Sequence, residues 1–129
     1  MGACFRDSLT NVLLPTIAKG TNVLCERYTM SMRVYQGDAY SVTPISHRYE
    51  EILYPDLIIL LDISPSVYEE RIASREKDTM EDVSLEEINK RRTSYRHIAR
   101  NTRNAVTIDA SLPIDEVVEE CYRLIKQYT

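Results

Sequence analysis

Arg27 follows Glu26 directly after the apolar run Val23-Leu24-Cys25, and Ser31 and the triplet Tyr35-Gln36-Gly37 come shortly behind. A guanidinium is a planar fork that grips a phosphate through two hydrogen bonds. An apolar run broken by an acid, an arginine and a tyrosine reads as a buried strand delivering charge to a sheet edge. Ligands of open α/β sheets sit beyond the carboxyl ends of parallel strands. Two more runs stop in acids, Leu57-Ile58-Ile59-Leu60-Leu61 at Asp62 and Ala105 to Ile108 at Asp109. Three such ends predict one polar ligand edge.

Each of these residues also has a purely structural reading. Glu26-Arg27 can be a strand-end ion pair, and Asp62 can cap the Ser64-Pro65 turn sooner than bind a metal. Asp109 is similar. Arg71 and Arg75 stand one helical turn apart, where like charges repel mildly, and Arg71 has no acid three or four residues away. Both a phosphate-facing role and a salt-bridged role fit the pair. Arg92, Arg96, Arg100 and Arg103 form a stripe whose aliphatic stems suit covering apolar surface. His47 and His97 have no acid or cysteine at a telling distance.

The elements that must position these groups alternate between helix and strand. Phe5, Leu9, Val12, Leu13 and Ile17 recur at helical spacing, closed by Lys19-Gly20. A short buried strand is expected at Val23 to Cys25, then a turn or two of helix from Tyr28 to Gln36 and a helix from Tyr40 to Leu53. The run 57–61 is apolar on both faces, the pattern of an interior parallel strand. Ser64-Pro65 starts a helix through Arg71 and Arg75. The charged stretch from Glu76 to Val83 reads as an exposed loop. Ser84-Leu85-Glu86-Glu87 is a capping box for a long helix to about Arg103. The last helix carries Ile114, Val117, Val118, Cys121, Leu124, Ile125 and Tyr128 on one face. The alternation predicts an α/β three-layer sandwich with a short parallel sheet.

At 129 residues the chain reads as one domain, 1–129. Its net charge of −4 makes nucleic acid an improbable partner. Arginines outnumber lysines twelve to four, which favours specific, paired anion contacts over diffuse attraction. Cys4, Cys25 and Cys121 are odd in number and far apart, as in a reduced protein. With no apolar leader at Met1 to Arg6 and no run of membrane-spanning length, the expected compartment is the cytoplasm.

The ordered set of Glu26-Arg27-Tyr28, Tyr35-Gln36-Gly37, Pro55-Asp56-Leu57, Leu60-Leu61-Asp62, the Ser64-Pro65 helix and Ile108-Asp109-Ala110-Ser111 resembles the thymidylate kinase family of P-loop nucleoside monophosphate kinases. The resemblance implies a P-loop kinase-like fold and phosphoryl transfer from Mg-ATP to dTMP, giving dTDP for dTTP biosynthesis. It implies that Arg27 holds the acceptor phosphate and that Glu26 lies near the Mg2+ and the phosphates. Ser31, Tyr35 and Gln36 would line the nucleoside pocket. Arg71 and Arg75 would lead into a lid at about 76–83 that closes on ATP, with Asp109 and Ala110 bordering the adenine. A homodimer is the assembly it suggests, although the apolar helix face suits a core equally well.

The sequence departs from the family pattern in three places. No G-x-x-x-x-G-K-[ST] loop occurs in it. In the family that loop and its strand lie upstream of the matching region, so the chain reads as the C-terminal portion of a longer kinase, inactive alone. Glu26 stands where the family has aspartate, and deoxynucleoside kinases write the strand end this way. Only Lys77 follows Arg75 as a cation in the lid segment. A deoxynucleoside kinase and a non-catalytic nucleotide-binding or regulatory module are the alternatives. Without the loop's strand, the strands at 23–25 and 57–61 must pair directly or leave a gap.

Overall fold

The run with no polar residue, 57–61, becomes strand β1 (Ile58–Asp62) in the computed structural model, which describes residues 9–28, 30, 31, 34, 53–73 and 84–128. It pairs in parallel with β2 (Ala105–Asp109), in register from Ile58↔Ala105 to Asp62↔Asp109. The backbone N–H of Ala110 donates to Asp62 O at 2.9 Å, continuing the ladder past its last rung.

Apolar residues pack on both faces of the sheet, in keeping with the continuously apolar run of β1, although Leu61 is 52% exposed and Thr107 of β2 is exposed. Ile58, Leu60 and Ala105 pack with Met30, Val34, Tyr95, Ile98 and Ala99. Leu57, Ile59, Val106 and Ile108 pack with Val117, Cys121 and Leu124. Tyr95, Ile98 and Ala99 belong to α3 (Leu85–Arg100), and the second set to α4 (Ile114–Lys126). Helix, sheet and helix make the three layers that the sequence leads one to expect.

The helix boundaries follow local chemistry. Before α2 (Pro65–Ala73), Ser64 Oγ accepts the N–H of Val67 at 3.4 Å. Before α3, Ser84 Oγ accepts the N–H of Glu87 at 3.2 Å, with Glu86 and Glu87 at the positive end of the helix dipole. The helix stops at Arg100, short of the expected Arg103. There the Asn101 amide donates to His97 O at 2.8 Å and the Thr102 hydroxyl to Ile98 O at 2.6 Å, satisfying terminal carbonyls. The first helical segment is a π turn (Leu9–Leu13) running into α1 (Leu14–Ala18). Gly20, at φ 81°, ends it in the left-handed region.

Two expectations about burial are corrected. Residues 21–25 form no strand, and Leu24 is 86% exposed. A strand needs a neighbour's backbone groups, and among the described residues β1 has only β2 as partner. Residues 21–25 thus neither pair with β1 nor face it across a gap as a strand, and among the described residues two strands rather than three end in acids. The apolar stripes over 12–17 and 114–128 are also buried less fully than their sequence pattern suggests. Leu13, Val117 and Leu124 are buried, whereas Val12, Ile17, Ile114, Val118 and Tyr128 are exposed.

The helix expected at 28–36 is represented by helical backbone at Met30, Ser31 and Val34. The helix expected at 40–53 lies outside the described residues except for irregular Leu53, and so do Arg75 and the lid segment 76–83. Among the described residues no helix is long and apolar enough to cross a membrane.

Candidate functional site

Parallel pairing in this register sets Asp62 and Asp109 side by side at the carboxyl end of the sheet. Nothing in the local sequence of either strand fixes that juxtaposition; it follows from the crossover through α2 and α3. The two carboxylates then meet different surroundings.

Asp109 turns back on its own loop. Its Oδ1 accepts the hydroxyl of Ser111 and, at 3.0 Å, the Ser111 backbone N–H. Those two bonds, the hydroxyl first, hold the Asp109 carboxyl below the usual carboxylate range, with the positive charge of Arg71 adding to them. Arg71 lies in the last turn of α2 and donates Nη2–H to Ala110 O at 2.7 Å. Three of the four residues expected around ATP, Arg71, Asp109 and Ala110, are thus brought together from two elements. The acid that Arg71 lacks along its own helix is supplied across the fold.

Asp62 is gripped from α3. Arg92 donates Nε–H to Oδ1 at 2.9 Å and Nη2–H to Oδ2 at 3.1 Å, and Arg96 Nε lies 4.0 Å from Oδ2. The carboxylate hydrogen bond raises the pKa of Arg92 further. Neither the turn role expected for Asp62 nor the apolar-covering role expected for Arg92 captures this pair. The two residues are far apart in sequence, and the four-residue spacing of Arg92 and Arg96 carried the only hint.

The residues expected on the acceptor side follow 21–25, which form no strand. Glu26 and Arg27 are exposed, at a bend rather than at a strand end. Arg27 has φ 60°, a left-handed conformation that disfavours a residue with a side chain by about 1–2 kcal/mol. Such outliers persist where their surroundings hold them, and they cluster at ligand sites. Two phenolic hydrogen bonds hold the chain just after Arg27. Tyr28 donates its hydroxyl to Leu53 O at 2.7 Å, and Ser31 Oγ lies 2.9 Å from Tyr95 Oη of α3. Burial, followed by the nearby Cys25, pushes the Tyr28 phenol up. Tyr95 had no place among the expected site residues, because its partner is 64 positions away. Tyr35 and Gln36 lie outside the described residues.

Among the described residues no group of three or more His, Cys, Asp or Glu could hold a metal ion. Mg2+ bound with a nucleotide takes most of its ligands from phosphates and water, with one or two carboxylates. Exposed Glu26 fits that lesser share. Asp62, with both oxygens engaged by Arg92, does not. For the ATP phosphates, Arg71 fits as a cation beside the β2 turn.

Comparison with known proteins places these elements in one sequence context. A family model described as thymidylate kinase matches residues 3–121. The thymidylate kinase of Coprothermobacter proteolyticus is 34% identical over 125 residues, covering 93% of this chain and 64% of the relative. That of Blochmanniella pennsylvanica is 34% identical over 121 residues, covering 89% and 57%. That of Thermosipho melanesiensis is 31% identical over 119 residues, covering 88% and 60%. The chain spans about three-fifths of the length of these relatives.

Proposed function

We propose that this chain, which belongs to the thymidylate kinase family, carries the acceptor-nucleotide site and the adenine-side edge of a kinase that phosphorylates dTMP from Mg-ATP. The observation that carries this reading is the family match across residues 3–121, which spans every element meeting at the Asp62–Asp109 edge. Phosphoryl transfer asks a protein chiefly for alignment and for cations around the phosphates, with little covalent chemistry. In this reading Arg27 binds the acceptor phosphate, and Glu26 orders the metal's water shell. Ser31, Tyr35 and Gln36 contact the nucleoside. Arg71 and Arg75 approach the ATP phosphates, with the 109–110 turn at the adenine and 76–83 as a lid whose closure excludes water. The backbone amides and lysine of a glycine-rich phosphate loop complete the donor site; the 129 residues contain no such motif.

Arginine is suited to the Arg27 role because the acceptor phosphate presents two oxygens to a two-pronged donor. Titration calorimetry of the 129-residue chain with dTMP and with thymidine tests the reading. Tighter binding of dTMP, lost in Arg27→Ala, is the expected result. Equal affinity for thymidine would favour a deoxynucleoside acceptor, for which Glu26 speaks. Absence of binding by either would reject an acceptor site in this chain.

A further inference from the structure

The Ser31–Tyr95 contact joins the segment that bears Arg27 to a helix that bears no expected nucleotide ligand. Ser31 stands four residues after Arg27, on helical backbone beside buried Met30. Tyr95 packs against the Met30, Leu60, Ile98 and Ala99 cluster, which fixes its ring, and its hydroxyl reaches Ser31 Oγ at 2.9 Å. One turn away on the same helix, Arg92 is fastened to Asp62 at the end of β1. Helix α3 therefore carries the position of the strand end across to the Arg27 segment.

We propose that Tyr95 is a positioning residue of the acceptor site, which orients the Ser31 hydroxyl so that its proton faces the nucleotide. This rests on the acceptor-site reading above. A hydroxyl has one proton and two acceptor lone pairs. A phenol is a stronger acid than an aliphatic alcohol and so the better donor of the two. With Tyr95 donating to Ser31 Oγ, the single serine proton is left to donate to an oxygen of the bound nucleotide, phosphate or base. Were the serine to donate to Tyr95, it could offer the ligand only lone pairs, which repel a phosphate oxygen. Tyr95 acts through Ser31 and touches no ligand itself.

The test is titration calorimetry of dTMP with the 129-residue chain and with Tyr95→Phe, Ser31→Ala and the double variant, each with its thermal midpoint. Losing one correctly directed hydrogen bond weakens binding about three- to tenfold. The expected result is a loss of that size in each single variant and no further loss in the double. The thermal shift of Tyr95→Phe would not account for it. Unchanged dTMP affinity in Tyr95→Phe, or losses that simply add, would overturn the proposal while leaving the acceptor site intact. Failure of the parent chain to bind dTMP would overturn the acceptor-site reading and this proposal with it. Should Tyr95→Phe unfold, Ser31→Thr decides: parent-like affinity beside a loss in Ser31→Ala supports a directed hydroxyl, and equal losses refute it.

Discussion

Arg92 on α3 and Asp62 at the end of β1 are joined by two parallel hydrogen bonds of 2.9 and 3.1 Å, across 30 residues of sequence. Their side chains are 27% and 16% exposed, so the pair is shielded on most sides yet not dry. A bidentate contact fixes both distance and orientation, which a lysine ammonium cannot do. The pair thereby ties α3 to the carboxyl end of β1.

Asp62→Ala and Arg92→Ala should each destabilise the chain by about 1–3 kcal/mol, since each takes the bidentate partner from a largely shielded charge, Arg96 at 4.0 Å replacing Arg92 only in part. The double variant should cost less than the sum, giving a coupling near 1 kcal/mol in a denaturant cycle. Arg92→Lys should recover less than half of the loss. Additive effects would mean that the two groups act independently.

Asp109 gives a pH dependence whose sign follows from its depressed pKa. In the unfolded chain a carboxylate takes its proton near pH 4; in the folded chain it does so at lower pH. Its contribution is thus complete above about pH 4 and lost as the pH falls through the folded value. Ser111→Ala removes the largest cause and leaves the backbone N–H. NMR titration of Asp109 should then show a higher midpoint in the variant. An unmoved midpoint would assign the depression to other groups.

Leu24 and Ile98 separate exposure from apparent hydrophobicity. Leu24 is 86% exposed and Ile98 is 3% exposed. Leu24→Ser should change stability by less than about 0.5 kcal/mol, as surface substitutions do. Ile98→Ala should cost about 2–5 kcal/mol, combining lost transfer energy with a cavity under the sheet. A large loss at Leu24 would restore the buried strand that its neighbours' composition suggests.

Gly20 closes α1 at φ 81°, and a Cβ built there meets nothing within 4 Å. Only the backbone resists a side chain. Gly20→Ala should therefore destabilise by about 1 kcal/mol, and Gly20→Asn by less, because asparagine tolerates this region better. Chemical denaturation of the three proteins checks the order.

What could be read from the chain alone is what neighbouring residues decide among themselves. An apolar run too continuous for a half-exposed sheet announced β1, the stretch from Ala105 to Asp109 announced β2, and Ser64-Pro65 and Ser84 to Glu87 placed the starts of α2 and α3. These signals are local because capping and periodicity act within a turn or two of backbone. The motif order from Glu26 to Ser111 likewise marked the family. Tertiary structure alone decided everything that depends on a partner distant in sequence. It left 21–25 without a strand, since strand formation requires another strand's N–H and C=O groups whatever the residues prefer. It turned Arg92 to Asp62, Arg71 to Ala110 and Tyr95 to Ser31. Such choices follow from where the crossover sets each helix, and linear spacing does not encode that.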